Sequence, residues 1–290
     1  MITVYSDNVE VPVNKVVFSD GAITFKLDEL PSNPRYISIN VDPRTPVNEV
    51  REELLMITEC INQLADDTHF SGNDTFTLNL PYLPYARNDR VFEKGNPNGL
   101  LSFLMTLGNI RCFDEIHICD IHNKGAVETL CHEYYLSFNI IEKKQLDCYK
   151  ASLPYDFNIS YDLVVSTDKG AMEKARTIAE HLEVDIIYAS KTRNISTGRI
   201  ESFDLPDNIS FEGKKVLIPD DLCDGGFSFI GLAKEIKKRG AVQVDLYVTH
   251  LIAAKGLKCL TGVIDNIYCY QTVGNFVNKQ NVTDFNNGKI

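Results

Sequence analysis

The fold of this chain is indicated most directly by the stretch Val216-Leu217-Ile218-Pro219-Asp220-Asp221-Leu222-Cys223-Asp224-Gly225-Gly226-Phe227-Ser228. An apolar run ends in acids and two glycines, and an amphipathic segment, Phe227 to Arg239, follows and ends at Gly240. This order predicts a strand, a tight loop and a helix. Backbone N–H groups at such a loop bind anions. Because acids beside an anion need sugar hydroxyls or a metal as partners, the stretch points to a phosphorylated sugar.

The composition is typical of a soluble globular protein that is long enough for one large or two medium domains. The chain has 290 residues, of which 44% are hydrophobic and 24% are charged. The formal net charge is −11, whereas nucleic-acid binders usually carry a basic surface. We therefore expect no nucleic-acid partner. A small phosphorylated ligand is compatible with this charge, because local cations and Mg²⁺ can dominate a site.

The chain is predicted to act in the cytoplasm and to have no membrane partner. The residues from Met1 to Asp7 lack the charged and apolar regions of a signal peptide, and no apolar run is long enough to span a bilayer. The eight cysteines include no Cys-x-x-Cys pair and are expected to be reduced thiols. Cys119, His122, Cys131 and His132 have a zinc-like spacing, but adjacent ligands fit a tetrahedral site poorly.

Strand-like and helix-like segments alternate along the chain in two series. A hairpin is predicted around the Ser19-Asp20-Gly21 turn. The first series then comprises residues 50–64 (helix), 75–80 (strand), 100–107 (helix) and 115–119 (strand). The second series comprises 162–166 (strand), 171–182 (helix), 184–188 (strand), the stretch quoted above and 242–249 (strand). Such alternation predicts an α/β protein with two halves, each a mainly parallel sheet covered by helices on both faces. We place the halves at residues 1–137 and 138–290, and expect the last residues to return to the first half.

Polar clusters lie at the predicted carboxyl ends of strands, where open α/β folds bind ligands. These clusters are Asp120 with His122, Asp168, Lys191 with Arg193, and Asp220 with Asp221 and Asp224. A histidine beside an aspartate can hold Mg²⁺ or stabilise developing charge, although a capped strand end gives the same pattern. Lys191-Thr192-Arg193 precedes the polar stretch 194–199, so its cations could close over a polyphosphate on a mobile loop. A solvated charged loop is the alternative.

A further cluster, Arg87-Asn88-Asp89-Arg90, follows a strand and a proline-rich turn. Arginine forks match phosphate oxygens and can stack on a base, whereas the alternative is a solvated turn with surface ion pairs. The neighbouring Tyr82, Pro84 and Tyr85 favour a binding role, because they could form a wall for an adenine ring.

Seven ordered segments together resemble the ribose-phosphate pyrophosphokinases, also called PRPP synthetases, over roughly Phe18 to Val273. The segments are Phe18-Ser19-Asp20-Gly21, Pro81-Tyr82 with Tyr85-Ala86-Arg87-Asn88-Asp89-Arg90, Asp120-Ile121-His122, Val164-Val165-Ser166-Thr167-Asp168 with Gly170, Ala175 and Arg176, Lys191-Thr192-Arg193, Asp220-Asp221 with Asp224 and Gly226, and Tyr247-Val248-Thr249-His250. The resemblance implies two tandem phosphoribosyltransferase-like domains of type I. It also implies a homo-oligomer, a dimer or a hexamer, because in the family the segment that Phe18-Ser19-Asp20-Gly21 resembles reaches ATP in a neighbouring subunit.

The resemblance also implies a reaction, in which the β,γ-diphosphate of ATP passes intact to the anomeric hydroxyl of a ribose 5-phosphate and AMP is released. Mg²⁺ is the cofactor implied. The catalytic residues implied are Lys191, Arg193 and His122, and the metal site is His122, Asp168 and Asp120. The ATP site implied is Phe18, Asp20, Arg87, Asn88, Asp89 and Arg90, and the sugar-phosphate site is Asp220, Asp221, Asp224, Gly225, Gly226, Phe227 and Ser228.

The sugar-phosphate loop departs from the family pattern, which usually continues Asp-Thr-Gly-Gly-Thr. Gly225 lacks the threonine hydroxyl that donates to the 5-phosphate, and Phe227 replaces a glycine where backbone approaches that phosphate. A monoester dianion should therefore bind less well than a 5-phosphate that carries a substituent. We expect ADP-ribose as the acceptor, as in some phage-encoded relatives linked to NAD salvage, which would act in the host cytosol. Ribose 5-phosphate is the alternative.

Two further departures bear on activity and regulation. Ala22 stands where the family has a glutamate near ATP, and Val91-Phe92-Glu93-Lys94-Gly95-Asn96 replaces a basic stretch, so we expect weak activation by phosphate. A catalytically inactive regulatory homologue is one alternative of another class, and retention of Lys191 and Arg193 argues against it. A phosphoribosyltransferase is the other alternative, and the ATP segment and second half argue against it.

Overall fold

The computed structural model describes residues 1–30, 34–68, 75–110, 113–152, 160–168, 170–193, 200–274 and 282–284. The chain divides into two compact units, Met1–Lys143 and Lys144–Ile290. Within the described ranges, each unit contains a six-stranded sheet and a two-stranded antiparallel ribbon. The helices of these ranges include none that is long and apolar enough to cross a membrane.

The first unit begins with short antiparallel strands and continues as a series of strand–helix–strand crossovers. Its elements are β1 (Ile2–Ser6), β2 (Val9–Val11), β3 (Val13–Val17), β4 (Ile23–Leu27), β5 (Tyr36–Val41), α1 (Val47–Thr68), β6 (Thr75–Asn79), α2 (Gly99–Ile110), β7 (Glu115–Cys119), α3 (Lys124–Glu133) and β8 (Asn139–Lys143). The sheet order is β2-β1-β5-β6-β7-β8, with β5 to β8 parallel. The carboxyl ends of β6 and β7 are therefore neighbours, and two of the predicted site segments follow them.

The β3–β4 hairpin confirms the turn predicted at Ser19-Asp20-Gly21, and its base is attached to α1. Lys15 Nζ lies 2.6 Å from Glu53 Oε1, and Cys60 Sγ lies 3.4 Å from the carbonyl oxygen of Phe25. These contacts hold the strands of the hairpin on the helix and leave Phe18, at the tip, 53% exposed.

The first sheet differs from expectation, because its three crossover helices share one face. Ile37 and Leu78 lie in one core with residues from α1, α2 and α3, and these helices contact one another in sequence order. On the other face, Asn79 Nδ2 donates to Asn40 Oδ1. Right-handed crossovers between strands that are added in one direction all pass on the same side of a sheet, which explains the arrangement.

The second unit has helices on both faces of a sheet whose pairs are parallel. Its elements are α4 (Gln145–Ala151), β9 (Leu163–Ser166), α5 (Met172–Leu182), β10 (Asp185–Tyr188), β11 (Ser190–Arg193), β12 (Ile200–Asp204), β13 (Lys215–Cys223), α6 (Phe227–Lys238), β14 (Gln243–Leu251), α7 (Lys258–Thr261), β15 (Ile267–Thr272) and β16 (Val282–Asp284). The order is β10-β9-β13-β14-β15-β16. Tyr149 of α4 and Ile178 of α5 pack on one face, and Leu232 of α6 packs on the other. This confirms the α/β class predicted from the sequence.

The end of β13 and the strand at Lys191 differ from the prediction, and the prediction for the last residues concerns positions that the structure describes only in part. β13 continues through the acids to Cys223, so Asp220 and Asp221 are strand residues and the loop begins later. Ser190–Arg193 form a strand, whereas a loop was expected from Lys191 onward. β16 pairs with β15 in the second sheet. Of the last residues, which were expected to return to the first half, 275–281 and 285–290 lie outside the described residues.

Candidate active site

The segment that follows β6 carries two arginines on a backbone fixed against the start of α2. Leu100 N–H donates to the Asn88 carbonyl at 3.0 Å, and Asn98 Nδ2 donates to the Asp89 carbonyl at 3.1 Å. Asn98 also caps α2 by accepting from Leu101 N–H. The flanking side chains, Arg87 and Arg90, are exposed. The segment therefore presents two guanidinium groups from a rigid base, as anion recognition requires.

The aromatic wall predicted beside this segment is only partly accessible. Pro84 is buried, whereas Tyr85 is 41% exposed and its ring lies 6.1 Å from the Phe103 ring, centroid to centroid. Tyr85 has φ 60°, an uncommon backbone conformation for a bulky residue. Gly99 permits the local packing, because a Cβ there would lie 2.8 Å from Asn88 Nδ2. The exposed part of Tyr85 is the surface that a base could contact.

The turn after β7 buries its aspartate and exposes its histidine. Asp120 has φ 42° and is 2% exposed, and short polar residues tolerate this left-handed conformation best. Ile121 N–H donates to Glu142 Oε1 at 3.0 Å, which fixes the turn to the end of β8. His122 is exposed. Of the two predicted site residues, His122 is thus the one that presents its side chain to solvent.

Asn123 joins this turn to the arginine segment and was missed at the sequence level. Its Oδ1 accepts from Ala126 N–H at 3.1 Å and caps α3, while its Nδ2 donates to Asp89 Oδ2 at 2.6 Å. The structure therefore brings His122 and Arg90 into neighbouring segments of one surface. An asparagine directly before a helical pattern is a recognisable N-cap signal, but the bond to Asp89 has no local signature.

The hairpin tip that carries Phe18 and Asp20 forms its described polar contacts within itself. Asp20 Oδ1 accepts from Ala22 N–H at 3.0 Å, Gly21 N–H donates to the Phe18 carbonyl at 3.0 Å, and Gly21 has φ 90°. These hydrogen bonds make a tight, exposed turn. Within the described part of the chain, they do not join the tip to the arginine segment.

In the second unit, Asp220 and Asp221 lie near the end of β13, and a hydroxyl from the neighbouring loop contacts the first of them. Thr167 Oγ1, after β9, donates to Asp220 Oδ2 at 2.7 Å. Asp221 N–H donates to Asp220 Oδ1 at 2.8 Å, and Asp221 is 7% exposed. The loop after β9 and the end of β13 are therefore in direct polar contact at the carboxyl edge of the sheet. Thr167 was included in the resemblance but was not predicted as a site residue.

The environment of Asp220 disfavours its charged form. Burial raises the pKa of Asp220 well above its usual range, and the neighbouring Asp221 carboxylate raises this pKa further. The hydrogen bond from Thr167 acts in the opposite direction, because it stabilises the ionised carboxylate. A ligand that supplies hydroxyl donors or positive charge would relieve this electrostatic conflict. That is the behaviour expected of acids that bind sugar hydroxyls.

Asp168 closes the turn that leads into α5. Its Oδ1 accepts from Gly170 N–H at 2.8 Å and from Ala171 N–H at 3.1 Å, and its carbonyl accepts from Ser166 Oγ at 2.9 Å. Since Thr167 directly precedes it, Asp168 is held beside the acids of β13. The hydrogen bond from Thr167 to Asp220 thus joins the segment that carries Asp168 to the end of β13; a shared site for Asp168, Asp220 and Asp221 stays a prediction.

The loop between β13 and α6 forms an open helix start. Gly226 has φ 75° and precedes α6 without a side-chain cap, so the N–H groups of the first turn are available to an anion. A Cβ at Gly226 would lie 2.7 Å from Leu260 Cδ2, and one at Gly225 would lie 3.3 Å from the Phe227 ring. Phe227 is 70% exposed, which places an apolar ring at the mouth of this cradle. The predicted Asp224 and Ser228, on either side of the glycines, are half-buried.

The two residues predicted to supply catalytic cations, Lys191 and Arg193, belong to β11, which pairs with β12. Lys191 is opposite Phe203 and Arg193 is opposite Ile200, with an irregularity between Thr192 and Arg193. The side chains of Lys191 and Arg193, and residues 194–199 of the predicted mobile loop, lie outside the described residues.

The acids of the second unit fit a cation that is bound mainly through its ligand. In the part of the chain that the structure describes, no group of three or more His, Cys, Asp or Glu side chains could hold a metal ion by itself. Mg²⁺ usually takes one or two carboxylates and completes its coordination with phosphates and water. Asp168, Asp220 and Asp221 can supply such carboxylates, and His122 belongs to the other unit.

Comparisons with known proteins concern the family and the fold of this chain. Residues 140–267 match the family model described as a phosphoribosyl transferase domain. The chain is 30% identical to the ribose-phosphate pyrophosphokinase of Pyrococcus furiosus over 217 residues, covering 74% of this chain and 73% of that protein. It is 27% identical to the enzyme of the same name from Thermococcus kodakarensis over 258 residues, covering 86% and 85%. A phosphoribosylpyrophosphate synthetase structure from Mycobacterium smegmatis shares the fold, with a TM-score of 0.68 at 20% identity, covering 89% of this chain and 80% of that one.

Proposed function

Since the chain belongs to the ribose-phosphate pyrophosphokinase family, we propose that it transfers the β,γ-diphosphate of ATP to the anomeric hydroxyl of a ribose 5-phosphate unit. The hydroxyl oxygen bonds to the β-phosphorus, the bond from that phosphorus to the oxygen bridging the α- and β-phosphates breaks, and the hydroxyl proton is released. AMP leaves with the bridging oxygen. The observation that carries the proposal is the 2.7 Å hydrogen bond from Thr167 to Asp220, because it joins the loop after β9 to the acids that would hold the ribose.

The first unit would supply the residues that bind ATP, and the second unit would supply those that bind the acceptor. Arg87 and Arg90 would bind the phosphates of ATP and the exposed His122 would contact the nucleotide, since their segments are joined through Asn123. In the second unit, Asp220 and Asp221 would accept hydrogen bonds from ribose hydroxyls, and the open start of α6 would bind the 5-phosphate.

Two cations of β11 complete this assignment. Lys191 and Arg193 would stabilise the charge that develops on the transferred group, because positioned cations are the main catalytic device in phosphoryl transfer. Mg²⁺ would be held by the ligand's phosphates with carboxylates such as Asp168, and it would neutralise phosphate oxygens.

For the acceptor, we propose ADP-ribose ahead of ribose 5-phosphate, on the strength of one observation in the loop. Phe227 exposes 70% of its surface at the start of the helix that would bind the 5-phosphate. An exposed ring is costly to leave in water and can pack against a substituent on that phosphate. Gly225 also offers no hydroxyl to the free dianion. A phosphate diester carries less charge than a monoester, so it needs fewer donors from the loop.

The same proposal covers assembly, regulation and location. The exposed tip at Phe18 supports a homo-oligomer, in which it would reach a neighbouring subunit. Val91 and Phe92 are each 58% exposed, and Arg90 lies 5.3 Å from the Phe92 ring, so this surface is less suited to an activating phosphate than a basic one. The cysteines of the described residues are free thiols, which is compatible with action in the cytosol.

The experiment is a mass-spectrometric assay of products from ATP and Mg²⁺ with each acceptor in parallel. The expected products are AMP and the 1-diphosphate of the acceptor, with the higher kcat/KM for ADP-ribose. Formation of AMP only with ribose 5-phosphate would refute the acceptor and keep the reaction. Absence of AMP with both acceptors, in a folded protein, would refute the reaction and favour the inactive homologue.

A matched pair of variants completes this experiment. Asp221→Asn is expected to raise the KM of the acceptor more than tenfold, because a carboxylate that accepts from hydroxyl groups is replaced by an amide. Gly213→Ala serves as the control for destabilisation away from the proposed site, because its φ of 71° strains an alanine although nothing lies within 4 Å of the added Cβ. The proposed reaction releases AMP without a purine or pyrimidine base, so the same assay separates this activity from that of a phosphoribosyltransferase.

A further inference from the structure

The two-stranded ribbon that carries Lys191 is anchored to α6 through one aromatic side chain. Phe203 of β12 packs against the core formed by the β13–β15 strands and α6. A Cβ built on Gly231 of α6 would lie 2.6 Å from Cε2 and 3.2 Å from Cδ2 of the Phe203 ring. The shorter of these distances is closer than carbon atoms approach in packed interiors. The ring therefore occupies the space that a side chain at Gly231 would need.

This anchor lies directly opposite the lysine in the strand pairing. The register of β11 and β12 pairs Lys191 with Phe203 and Ser190 with Asp204. The pairing is regular at these positions and becomes irregular only between Thr192 and Arg193. Since β-bulges redirect the chain beyond them, the Phe203 contact fixes the backbone of Lys191 more directly than that of Arg193.

The helix that receives the ring also begins at the candidate sugar-phosphate loop. α6 runs from Phe227 to Lys238, so Gly231 lies about one turn after its start. A helix is rigid over such a distance, and the start of α6 and the Phe203 contact therefore move together. The ribbon and the loop are thus linked through one short piece of helix.

We propose that Phe203 and Gly231 are positioning residues for Lys191. Their contact sets the distance between the backbone of the lysine and the loop that would hold the acceptor. The inference rests on the proposed function, because it assigns Lys191 a role in transfer. A displacement of about 1 Å at a reacting group can lower a rate by about a hundredfold. Loss of the contact should therefore reduce kcat while the substrates still bind.

The test is a double-mutant cycle on AMP formation that combines Phe203→Ala with Lys191→Ala. We expect Phe203→Ala to lower kcat at least tenfold, with the KM values of ATP and acceptor changed less than twofold. In the Lys191→Ala background the same change should lower kcat less than twofold, because the group that it positions is gone. Phe203→Leu, which keeps an apolar side chain against Gly231, should restore most of the activity.

Two further variants keep the test decisive. Gly231→Ala should displace the ribbon and reproduce the kcat loss even if Phe203→Ala fails to fold. Phe211→Leu is the control, since Phe211 is fully buried in the same core but lies outside the ribbon. It should lower the melting temperature without the selective loss of kcat.

Three outcomes would overturn the proposal. The first is an equal kcat loss from Phe203→Ala in both backgrounds, which would indicate a role independent of the lysine. The second is a loss of kcat in the control Phe211→Leu that scales with the loss of stability of that variant, which would indicate that destabilisation of the core alone lowers kcat. The third is unchanged kcat in Lys191→Ala, and AMP formation by the wild-type protein would then show that the proposed reaction itself still holds.

Discussion

Replacing Gly226 with alanine should destabilise the second unit through two separable effects. Gly226 has φ 75°, and a residue with a Cβ loses roughly 1–2 kcal/mol in this left-handed region. The new Cβ would also lie 2.7 Å from Leu260 Cδ2. Overpacking of this kind adds about 1–3 kcal/mol. Together the two effects lower the free energy of unfolding by about 2–5 kcal/mol.

Urea denaturation with a matched control isolates each effect. Gly213 has a similar φ of 71°, with nothing within 4 Å of an added Cβ, so Gly213→Ala should lose only the backbone contribution of about 1–2 kcal/mol. In a Leu260→Ala background, Gly226→Ala should likewise lose only that contribution, because its steric partner has been shortened. The expected coupling energy between the two sites is about 1–3 kcal/mol.

Activity measured on the same variants connects the loop to its ligand. Gly226→Ala should raise the KM of the acceptor, since the displaced turn no longer aligns the first N–H groups of α6. Gly213→Ala should leave that KM unchanged. Equal destabilisation by Gly226→Ala and Gly213→Ala would refute the steric reasoning. So would a Gly226→Ala loss that is the same with and without the Leu260 side chain.

Two further predictions concern contacts that join separate segments. Burial and the Asp221 carboxylate raise the pKa of Asp220. Acceptor binding should therefore weaken as the pH falls through that raised pKa, because Asp220 becomes protonated. The stability of the ligand-free protein should change in the opposite sense: protonated Asp220 favours the folded state, and this contribution is lost as the pH rises through the raised pKa. Thr167→Val removes a bond that favours the ionised form and should move the pH dependence of the acceptor KM to higher pH; an unmoved profile contradicts this. Asn123→Asp should keep the α3 cap but repel Asp89, raising the KM of ATP with little change in melting temperature, whereas Asn123→Ala should also lose about 1 kcal/mol of stability. An unchanged KM of ATP in Asn123→Asp would contradict the role of this link.

The parts of the fold that could be predicted are those in which local pattern and tertiary structure agree. The hairpin around Asp20, the strand Glu115–Cys119 and the start of α6 at Phe227 follow from periodicity and turn residues. The parallel order of strands places polar residues at their carboxyl ends on one edge, so proximity of the segments that carry Asp168 and Asp220 could also be expected.

The contacts that were missed depend on pairs of residues that are distant in sequence. Thr167 and Asp220 are joined by a hydroxyl whose direction no local pattern indicates. Lys191 was expected on a loop, because its polar neighbours resemble loop residues, but a partner strand satisfies its backbone. A short polar strand is identified by its partner and seldom by its own composition. The common face of α1 to α3 was also missed, because it depends on the order of the strands in the sheet.

The uncapped start of α6 has a thermodynamic consequence for the free protein. If the proposed site is correct, a bound ligand would stabilise the N–H groups at this end of α6 and the carboxyl group of Asp220, whose environment disfavours its charged form. Under the proposed function, folding of the second unit and occupancy of its site are therefore linked equilibria. A ligand at a hundred times its Kd raises the free energy of unfolding by about 2.7 kcal/mol, so resistance to unfolding should report the supply of substrate.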